Sequence, residues 1–295
     1  MFAFSDLHKL IQANLSAIDP KTDLIVVIPR SGFVPAGHIA TVLNLPIISL
    51  DRFSSVLEVD NRFTLRSLLI PKSNPKNILV VDDSTCTGSR MNNAVELVSR
   101  KWPKSRITTL SIAVASDFNF RPNIYFFESS APRMFAWNMF NHSQLTKHLA
   151  VDLDGILCDD PNQEQNDDGT NYLDFIGSAR IKVRPQEKVK AIVTGRLEKY
   201  REQTEDWLQK NDIHYTDLFM NDAPSALYRR TEKFNSTGLE VDQISHFKSR
   251  ILQEIKPTAF IESNLVQASN IHKITGINTY AFDDDKYFGS SKFEF

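Results

Sequence analysis

The chain has 295 residues, enough for two domains of ordinary size, and its 41% hydrophobic and 24% charged residues are typical of a folded globular protein. A formal net charge of −2 provides no overall basic field, which argues against a nucleic-acid-binding protein. No stretch approaches the roughly 20 apolar residues that a membrane-spanning helix needs, and the N-terminal segment lacks the pattern of a secretory signal. Because two cysteines cannot form a disulfide framework, we expect a reducing, cytoplasmic location.

The first half of the sequence alternates short apolar runs, rich in β-branched residues, with amphipathic segments. Such alternation predicts βαβ units, in which parallel strands form a sheet and helices cover its faces. The predicted strands lie at residues 24–29, 47–50, 77–81, 108–114 and 124–127, and the predicted helices at residues 5–18, 34–43 and 89–100.

The second half repeats this alternation and starts anew near residues 143–147. A polar loop at residues 159–170 follows its first strand and has the position of a lid. We therefore predict an α/β protein with two Rossmann-like domains, residues 1–145 and 146–295. The predicted strands of the second domain lie at residues 147–153, 190–193, 258–261 and 279–282, and the helices at 198–209, 244–255 and 265–275.

Residues 78–90 (ILVVDDSTCTGSR) combine an apolar strand, two adjacent acids and a small polar turn before a helix. The strand would bring Asp82 and Asp83 to the carboxyl edge of the sheet, where open α/β folds bind ligands. Residues 84–89 would present backbone N–H groups and hydroxyls at a helix N-terminus, which suits a phosphate dianion. The two acids can accept hydrogen bonds from sugar hydroxyls.

This segment resembles the motif with which type I phosphoribosyltransferases bind 5-phosphoribosyl 1-pyrophosphate (PRPP). The resemblance implies that Asp82 and Asp83 bind the ribose hydroxyls and that residues 86–90 hold the 5-phosphate, with Cys86 as a small turn residue rather than a nucleophile. It also implies that residues 28–37 (IPRSGFVPAG) contain the pyrophosphate-binding loop. The implied PRPP-binding residues are Arg30, Ser31, Gly32, Asp82, Asp83, Ser84, Thr85, Cys86, Thr87, Gly88, Ser89 and Arg90.

Two further segments have two interpretations each. The family has a mobile catalytic loop where this chain has residues 52–66, so Arg52, Arg62 and Arg66 are candidate pyrophosphate contacts; a solvated hairpin is the equal alternative. Trp137, within PRMFAWNMF, is the candidate acceptor contact, since an aromatic ring can stack on a flat or sugar-like face. Packing in a core or at a domain interface is the simpler interpretation of that cluster.

A second acidic motif ends the first strand of the second half. In residues 151–158 (VDLDGILC), Asp152 and Asp154 lie two residues apart and can both project from the strand end once the chain turns at Gly155. One carboxylate can attack phosphorus while the other protonates the leaving alkoxide and later activates water. Mg²⁺ would offset the repulsion between carboxylate and phosphate.

This motif resembles the first motif of the haloacid dehalogenase (HAD) phosphatases, and the later motifs follow in order as AIVTGR, HFKSRIL and FIESN. The short spacing between the first two motifs favours a small cap or a loop lid. The resemblance implies Asp152 as nucleophile, Asp154 as acid/base, Thr194 as phosphoryl ligand, Lys248 as stabilising cation and Glu262 as metal carboxylate.

The resemblance also implies a magnesium site built from Asp152, Glu262, the backbone carbonyl of Asp154 and waters. The last motif departs from the commonest pattern of two acids, because Ser263 and Asn264 follow the single Glu262. This departure puts the affinity for the metal in doubt, while the order of the motifs is kept.

The two resemblances cover nearly the whole chain and predict a bifunctional enzyme. It would transfer 5-phosphoribosyl from PRPP to an acceptor and then hydrolyse the 5-phosphate, leaving a β-ribofuranosyl residue. The arrangement resembles the bacterial transferase–phosphatase pairs that install ribofuranose in surface polysaccharides, so a glycan or lipid-linked glycan is the first hypothesis for the acceptor. The alternatives are a nucleobase phosphoribosyltransferase fused to a nucleotide phosphatase, and a PRPP-sensing regulatory module. An oligomer is compatible with the sequence.

Overall fold

The computed structural model describes residues 2–50, 74–130, 133–236 and 238–289. Their contacts divide the described chain into a first unit, residues 4–133, and a second unit, which combines residues 2–3 with residues 134–289. Within these ranges, no helix is both long enough and apolar enough to cross a membrane.

The first unit is built on a parallel sheet whose strands lie in the order β2-β1-β3-β4-β5. Each of its elements overlaps a segment predicted from the sequence. The strands are β1 (Leu24–Val27), β2 (Ile47–Ser49), β3 (Asn77–Thr85), β4 (Arg106–Ala115) and β5 (Ile124–Ser129), and the helices are α1 (Phe4–Asn14), α2 (Phe33–Leu43) and α3 (Ser89–Lys101).

The central strand β3 positions the acidic pair. It extends beyond the predicted end at residue 81, so both acids lie within the strand rather than after it. Ile78 and Val80 project from one face of β3 and pack in one core cluster with Met91 and Val98 of α3, as the alternation of side chains along a strand requires. This packing fixes where the strand ends relative to the start of α3.

The second unit has its own sheet, in the order β13-β12-β11-β6-β7-β8, in which all neighbours are parallel except β12 and β13. Two further strands, β9 and β10, form a separate antiparallel hairpin. The strands are β6 (Leu149–Val151), β7 (Val189–Leu197), β8 (Tyr215–Asn221), β9 (Lys233–Ser236), β10 (Leu239–Asp242), β11 (Ala259–Glu262), β12 (Thr279–Ala281) and β13 (Lys286–Phe288). The helices are α4 (Thr170–Ser178), α5 (Arg201–Lys210), α6 (Ala226–Thr231), α7 (Gln243–Ile255) and α8 (Leu265–Thr275).

Residues 134–145, which the sequence analysis assigns to the first domain, pack with the second unit. Met139 and Phe140 lie in the hydrophobic core of that unit. The backbone of Phe2 pairs with the same segment, donating to Met134 and accepting from Ala136. The second unit therefore includes residues that precede the first unit in the sequence as well as residues that follow it.

Candidate active sites

The first candidate site lies at the carboxyl end of β3. Asp82 and Asp83 are only 2% and 5% exposed, and the backbone N–H of Asp83 donates to Asp82 Oδ1 at 2.9 Å. Burial, followed by the charge of Asp83, raises the pKa of Asp82 to about 8, against the charge of Arg90, which lowers it. At neutral pH the Asp82 carboxyl can therefore donate a hydrogen bond to a sugar hydroxyl as well as accept one.

The loop between β1 and α2 passes directly against this strand end. The backbone N–H of Ile28 donates to the carbonyl of Val81 at 2.9 Å. A Cβ on Gly32 would overlap the carbonyl oxygen of Ile28 and lie 3.2 Å from that of Val81, so only glycine fits this approach. Arg30 is exposed and Ser31 is half-buried beside it. The predicted pyrophosphate residues therefore lie next to the acidic pair.

The turn between β3 and α3 completes the first site. Its N-cap residue is Gly88, with φ of 79°, which offers no side-chain oxygen to α3, and the Thr87 hydroxyl accepts from the N–H of Ser89 at 3.4 Å. The hydroxyls of Thr87 and Ser89 are exposed and lie 3.0 Å apart. Arg90 donates to the carbonyl of Pro29 and so links this turn to the loop after β1. The structure thus brings together the two segments that the sequence analysis assigned to PRPP.

Arg133 is a residue of this site that the sequence analysis missed. Its Nε donates to Ser84 Oγ at 3.0 Å and its Nη2 donates to Cys86 Sγ. No local pattern links it to a motif 49 residues earlier, because only the fold brings the two together. Its positive charge lies at the edge of the turn, where it favours an anion, and Cys86 acts as a hydrogen-bond partner.

The second candidate site is a cavity of about 340 Å³ at the carboxyl ends of β6, β7 and β11. Four of the predicted residues line it: Asp152, Asp154, Lys248 and Glu262. Thr194 is fully buried and directly precedes Gly195, which lines the same cavity. The parallel pairing of β6 with both β7 and β11 explains this convergence, since it brings the ends of all three strands to one edge.

Lys248 forms the centre of a buried charge cluster. The side chain is 1% exposed, and its Nζ donates to Asp152 Oδ2 at 2.6 Å, to Glu262 Oε2 at 2.7 Å and to Gln267 Oε1 at 3.3 Å. Burial alone would lower the pKa of Lys248, but the charges of Asp152 and Glu262 raise it by more, so the side chain is cationic. Lys248 is therefore the counter-ion of the predicted nucleophile.

Asp154 has a different counter-ion, Arg196, which the sequence analysis did not single out. The guanidinium is fully buried; its Nη2 donates to Asp154 Oδ1 at 2.6 Å and its Nε lies 3.1 Å from both carboxylate oxygens. The thiol of Cys158 lies 3.3 Å from the same carboxylate. Burial raises the pKa of Cys158, so the thiol stays protonated and does not serve as a nucleophile.

The turn after Asp154 requires glycine. Gly155 has φ of 78°, and a Cβ at this position would overlap the side chain of Ser263. This close approach brings the turn after β6 against the segment that follows β11. The two acidic motifs at these strand ends are therefore direct neighbours.

In the structure, protein cations hold the three carboxylates that are predicted to bind magnesium. Among the described residues, no three His, Cys, Asp or Glu side chains converge as ligands of one metal ion. The ammonium of Lys248 instead donates to both Asp152 and Glu262, and a guanidinium holds Asp154. The assignment of these three carboxylates as metal ligands remains a prediction.

The predicted acceptor contact and the predicted loop contacts are not among the described residues that line the cavity of the second unit. Trp137 belongs to the second unit, where its ring stacks on Phe135 with centroids 4.6 Å apart and meets Phe2 edge-on at 6.2 Å. Trp137 is not among the residues that line the cavity of that unit. Its role as an acceptor contact therefore remains a prediction. Residues 52–66, with Arg52, Arg62 and Arg66, lie outside the described residues.

Comparisons with known proteins concern the first unit most directly. A family model of the phosphoribosyl transferase domain matches residues 4–128. No curated protein matches the chain.

Several solved structures are similar to part of the chain. A purine phosphoribosyltransferase from Pyrococcus horikoshii has 21% identity over 46% of this chain and 91% of its own, with a TM-score of 0.36. A Helicobacter pylori xanthine-guanine-hypoxanthine phosphoribosyltransferase has 15% identity over 46% and 90%, with a TM-score of 0.35. An adenine phosphoribosyltransferase from Thermoanaerobacter pseudethanolicus has 15% identity over 42% and 81%, with a TM-score of 0.31.

The family match and the geometry agree on one part of the molecule. The matched residues contain the acidic pair on β3, the turn before α3 and the loop before α2, which lie together in the first unit. Residues 4–128, less than half of the chain, are therefore similar to the phosphoribosyl transferase domain family.

Proposed function

We propose that the chain is a bifunctional enzyme that transfers 5-phosphoribosyl from PRPP to an acceptor and then hydrolyses the 5-phosphate of the product. The observation that carries the proposal is that each unit has its own acid-bearing site at the carboxyl edge of a parallel sheet. The family match supports the transfer reaction. The resemblance to HAD phosphatases and the shared cavity of Asp152, Asp154 and Lys248 support the hydrolysis.

In the transfer reaction, the hydroxyls of the ribose bind Asp82 and Asp83, and the 5-phosphate binds the open N-terminus of α3. Residues 30–32 bind the pyrophosphate. The acceptor atom bonds to the anomeric carbon as the bond from that carbon to pyrophosphate breaks, and the acceptor loses its proton to solvent. When bound with PRPP, Mg²⁺ supplies positive charge for the departing pyrophosphate.

In the hydrolysis, the carboxylate of Asp152 attacks phosphorus and the ester oxygen leaves with a proton from Asp154. Water then attacks the aspartyl phosphate, and Asp154 takes up the proton of that water, which restores both carboxyls. Lys248 keeps the nucleophile oriented through its 2.6 Å contact with Asp152 Oδ2. The magnesium dependence of this half is carried only by the resemblance.

The proposed hydrolysis favours a glycan over a nucleobase as the acceptor of the first reaction. A phosphatase that follows a nucleobase transferase would remove the phosphate from the nucleotide just formed, whereas a phosphatase that follows a glycan transferase would complete a ribofuranosyl residue. We therefore propose a glycan or lipid-linked glycan as acceptor. A nucleobase acceptor is equally compatible with the phosphoribosyltransferase domain.

The test uses the full chain with PRPP and Mg²⁺, supplied with oligosaccharide acceptors or with nucleobases, and follows product masses. We expect the parent to add ribose to a glycan and the Asp152→Asn variant to accumulate the phosphorylated glycan. Formation of nucleotide or nucleoside would instead establish the nucleobase alternative. PRPP binding without turnover of any acceptor would indicate a regulatory module, and full dephosphorylation by the variant would remove Asp152 as nucleophile.

A further inference from the structure

An arginine outside both sequence motifs lines the cavity of the second unit. Arg229 lies on α6, is 8% exposed, and donates from Nη1 to the carbonyl oxygen of Gly195 at 2.7 Å. Its Nε is buried and has no hydrogen-bond partner among the described residues. Because Nε has almost no accessible surface, the N–H groups that can reach a ligand in the cavity are those of Nη1 and Nη2 that the contact with Gly195 leaves over.

The other cations of the site already have partners. The ammonium of Lys248 donates to three side chains, and the guanidinium of Arg196 is held against Asp154. Of the described side chains that line the cavity, only Lys248 and Arg229 are cationic. Arg229 is therefore the cation at this cavity that can still donate hydrogen bonds to a ligand.

The charge of the cavity explains why such a donor is needed. Asp152, Asp154, Asp160 and Glu262 all line it, and their carboxylates would repel a phosphate dianion. A guanidinium attracts a phosphate strongly because its N–H groups form charge-assisted, often paired hydrogen bonds to the oxygens. The contact holds Arg229 against Gly195, the residue that follows Thr194, the predicted phosphoryl ligand.

We propose that Arg229 binds the nonbridging oxygens of the phosphoryl group that occupies this cavity through the N–H groups at the end of its guanidinium. The ligand class is a phosphomonoester or its product, inorganic phosphate, since both present the same oxygens. The inference rests on the proposed phosphatase function and deepens it, because it adds a phosphate-binding residue from α6 to the motif residues.

The test measures phosphate binding separately from turnover. Inorganic phosphate is titrated into the full chain by calorimetry, and KM is measured with ribose 5-phosphate, for the parent, Arg229→Gln, Arg229→Lys and the control Arg250→Gln. Arg250 is an exposed arginine paired with Asp222, so its loss removes one charge without touching the cavity. Thermal unfolding establishes that each variant is folded.

We expect Arg229→Gln to weaken phosphate binding and raise KM roughly 10- to 100-fold, and Arg229→Lys, which keeps the charge but lacks the paired donors of the guanidinium, to fall between it and the parent. Arg250→Gln should match the parent. If Arg229→Gln does not fold, Arg229→Lys decides. A folded Arg229 variant with the phosphate affinity and KM of the parent would overturn the inference.

Two outcomes separate the inference from the proposed function. In the first outcome, the parent hydrolyses no phosphomonoester but binds phosphate in a way that depends on Arg229. That result would contradict the proposed phosphatase function and support the phosphate-binding role of Arg229. A parent that neither hydrolyses phosphomonoesters nor binds phosphate would contradict both.

Discussion

Two buried cations hold three carboxylates of the second site, and they do so differently. Lys248 is shared between Asp152 and Glu262, whereas Arg196 is committed to Asp154. A buried ion pair adds little net stability, but the loss of one partner leaves a charge in a medium that solvates it poorly. The function of each carboxylate therefore depends on keeping its own counter-ion.

Replacing Lys248 by methionine should make this dependence measurable. The variant leaves Asp152 and Glu262 buried without their cation, so we expect the free energy of unfolding to fall by about 3 kcal/mol at pH 8. The loss should be smaller at pH 5, because burial raises the pKa of Asp152 and its protonation removes an uncompensated charge. Urea unfolding at both pH values, with Arg250→Gln as the exposed control, measures the difference. Equal stability of variant and parent would contradict the buried charge cluster.

The raised pKa of Asp82 predicts a pH-dependent stability of the first unit. The folded protein holds this proton up to about pH 8, whereas the unfolded chain releases it near pH 4. The folded state therefore binds more protons between these values, and its free energy of unfolding should fall as pH rises, by at most about 4 kcal/mol between pH 5 and pH 8.

Asp82→Asn should remove this slope, because the amide does not titrate. Urea unfolding of parent and variant at pH 5 and pH 8 tests it, and we expect the variant to gain most over the parent at pH 8. Parallel pH profiles for the two proteins would show that Asp82 ionises normally in the folded state.

The sequence predicted the strand-end acids but not the arginines that approach them. Asp82, Asp83 and Asp152 follow or end apolar runs, and strand periodicity alone places such residues at a sheet edge. Arg133 and Arg229 reach their sites from other parts of the fold. Nothing in their local sequence distinguishes them from surface arginines, so tertiary structure was needed to find them.

At the scale of elements, the loop before α2 and the end of β3 are fitted to each other at Gly32. A methyl group there would overlap the carbonyl of Ile28, so Gly32→Ala should push the loop away from the acidic pair. We expect PRPP affinity to fall roughly tenfold or more, as for the loss of a charge-assisted contact. Calorimetry with PRPP and Mg²⁺ measures the change.

Gly37→Ala is the matched control, since it lies in α2 and a Cβ there meets nothing within 4 Å. This variant should bind PRPP like the parent and be slightly more stable, because alanine favours a helix over glycine. Hydrolysis of ribose 5-phosphate should be the same in both variants. Unchanged PRPP affinity in Gly32→Ala would show that the loop does not contribute to binding.

Four helices were predicted closely, and the elements without a predicted counterpart are α4, α6, β8, β9, β10 and β13. The bounds of α8, Leu265–Thr275, match the prediction, and α2, α3 and α7 differ from theirs by a residue. The six-residue α6 is too short to show helical periodicity, and the β9–β10 hairpin consists largely of polar residues. The elements that the sequence missed include the one that carries Arg229.

At the scale of the whole molecule, each proposed reaction has its residues in a single unit. Asp82→Asn combined with Asp83→Asn should abolish transfer and spare hydrolysis of a supplied phosphoribosyl product, while Asp152→Asn should do the reverse. A mixture of the two variants should then restore formation of the dephosphorylated product, because the first can hydrolyse what the second releases. Mass spectrometry of the acceptor follows both steps.

One result would contradict this division of labour, and another would contradict the exchange of the intermediate between molecules. Transfer at the parent rate by the Asp82→Asn, Asp83→Asn variant would remove the acidic pair from the first reaction. Failure of the mixture, with each single activity intact, would show that the intermediate does not pass between molecules in solution.

The pairing of Phe2 with residues 134–136 has a practical consequence for dissecting the protein. Ala3 is 1% exposed within the core of the second unit. Cutting the polypeptide after residue 133 would therefore remove residues 2–3 from the second unit and expose the apolar side chains that they cover. A separately expressed C-terminal fragment should therefore aggregate more readily than one to which the missing tripeptide is restored by a designed linker.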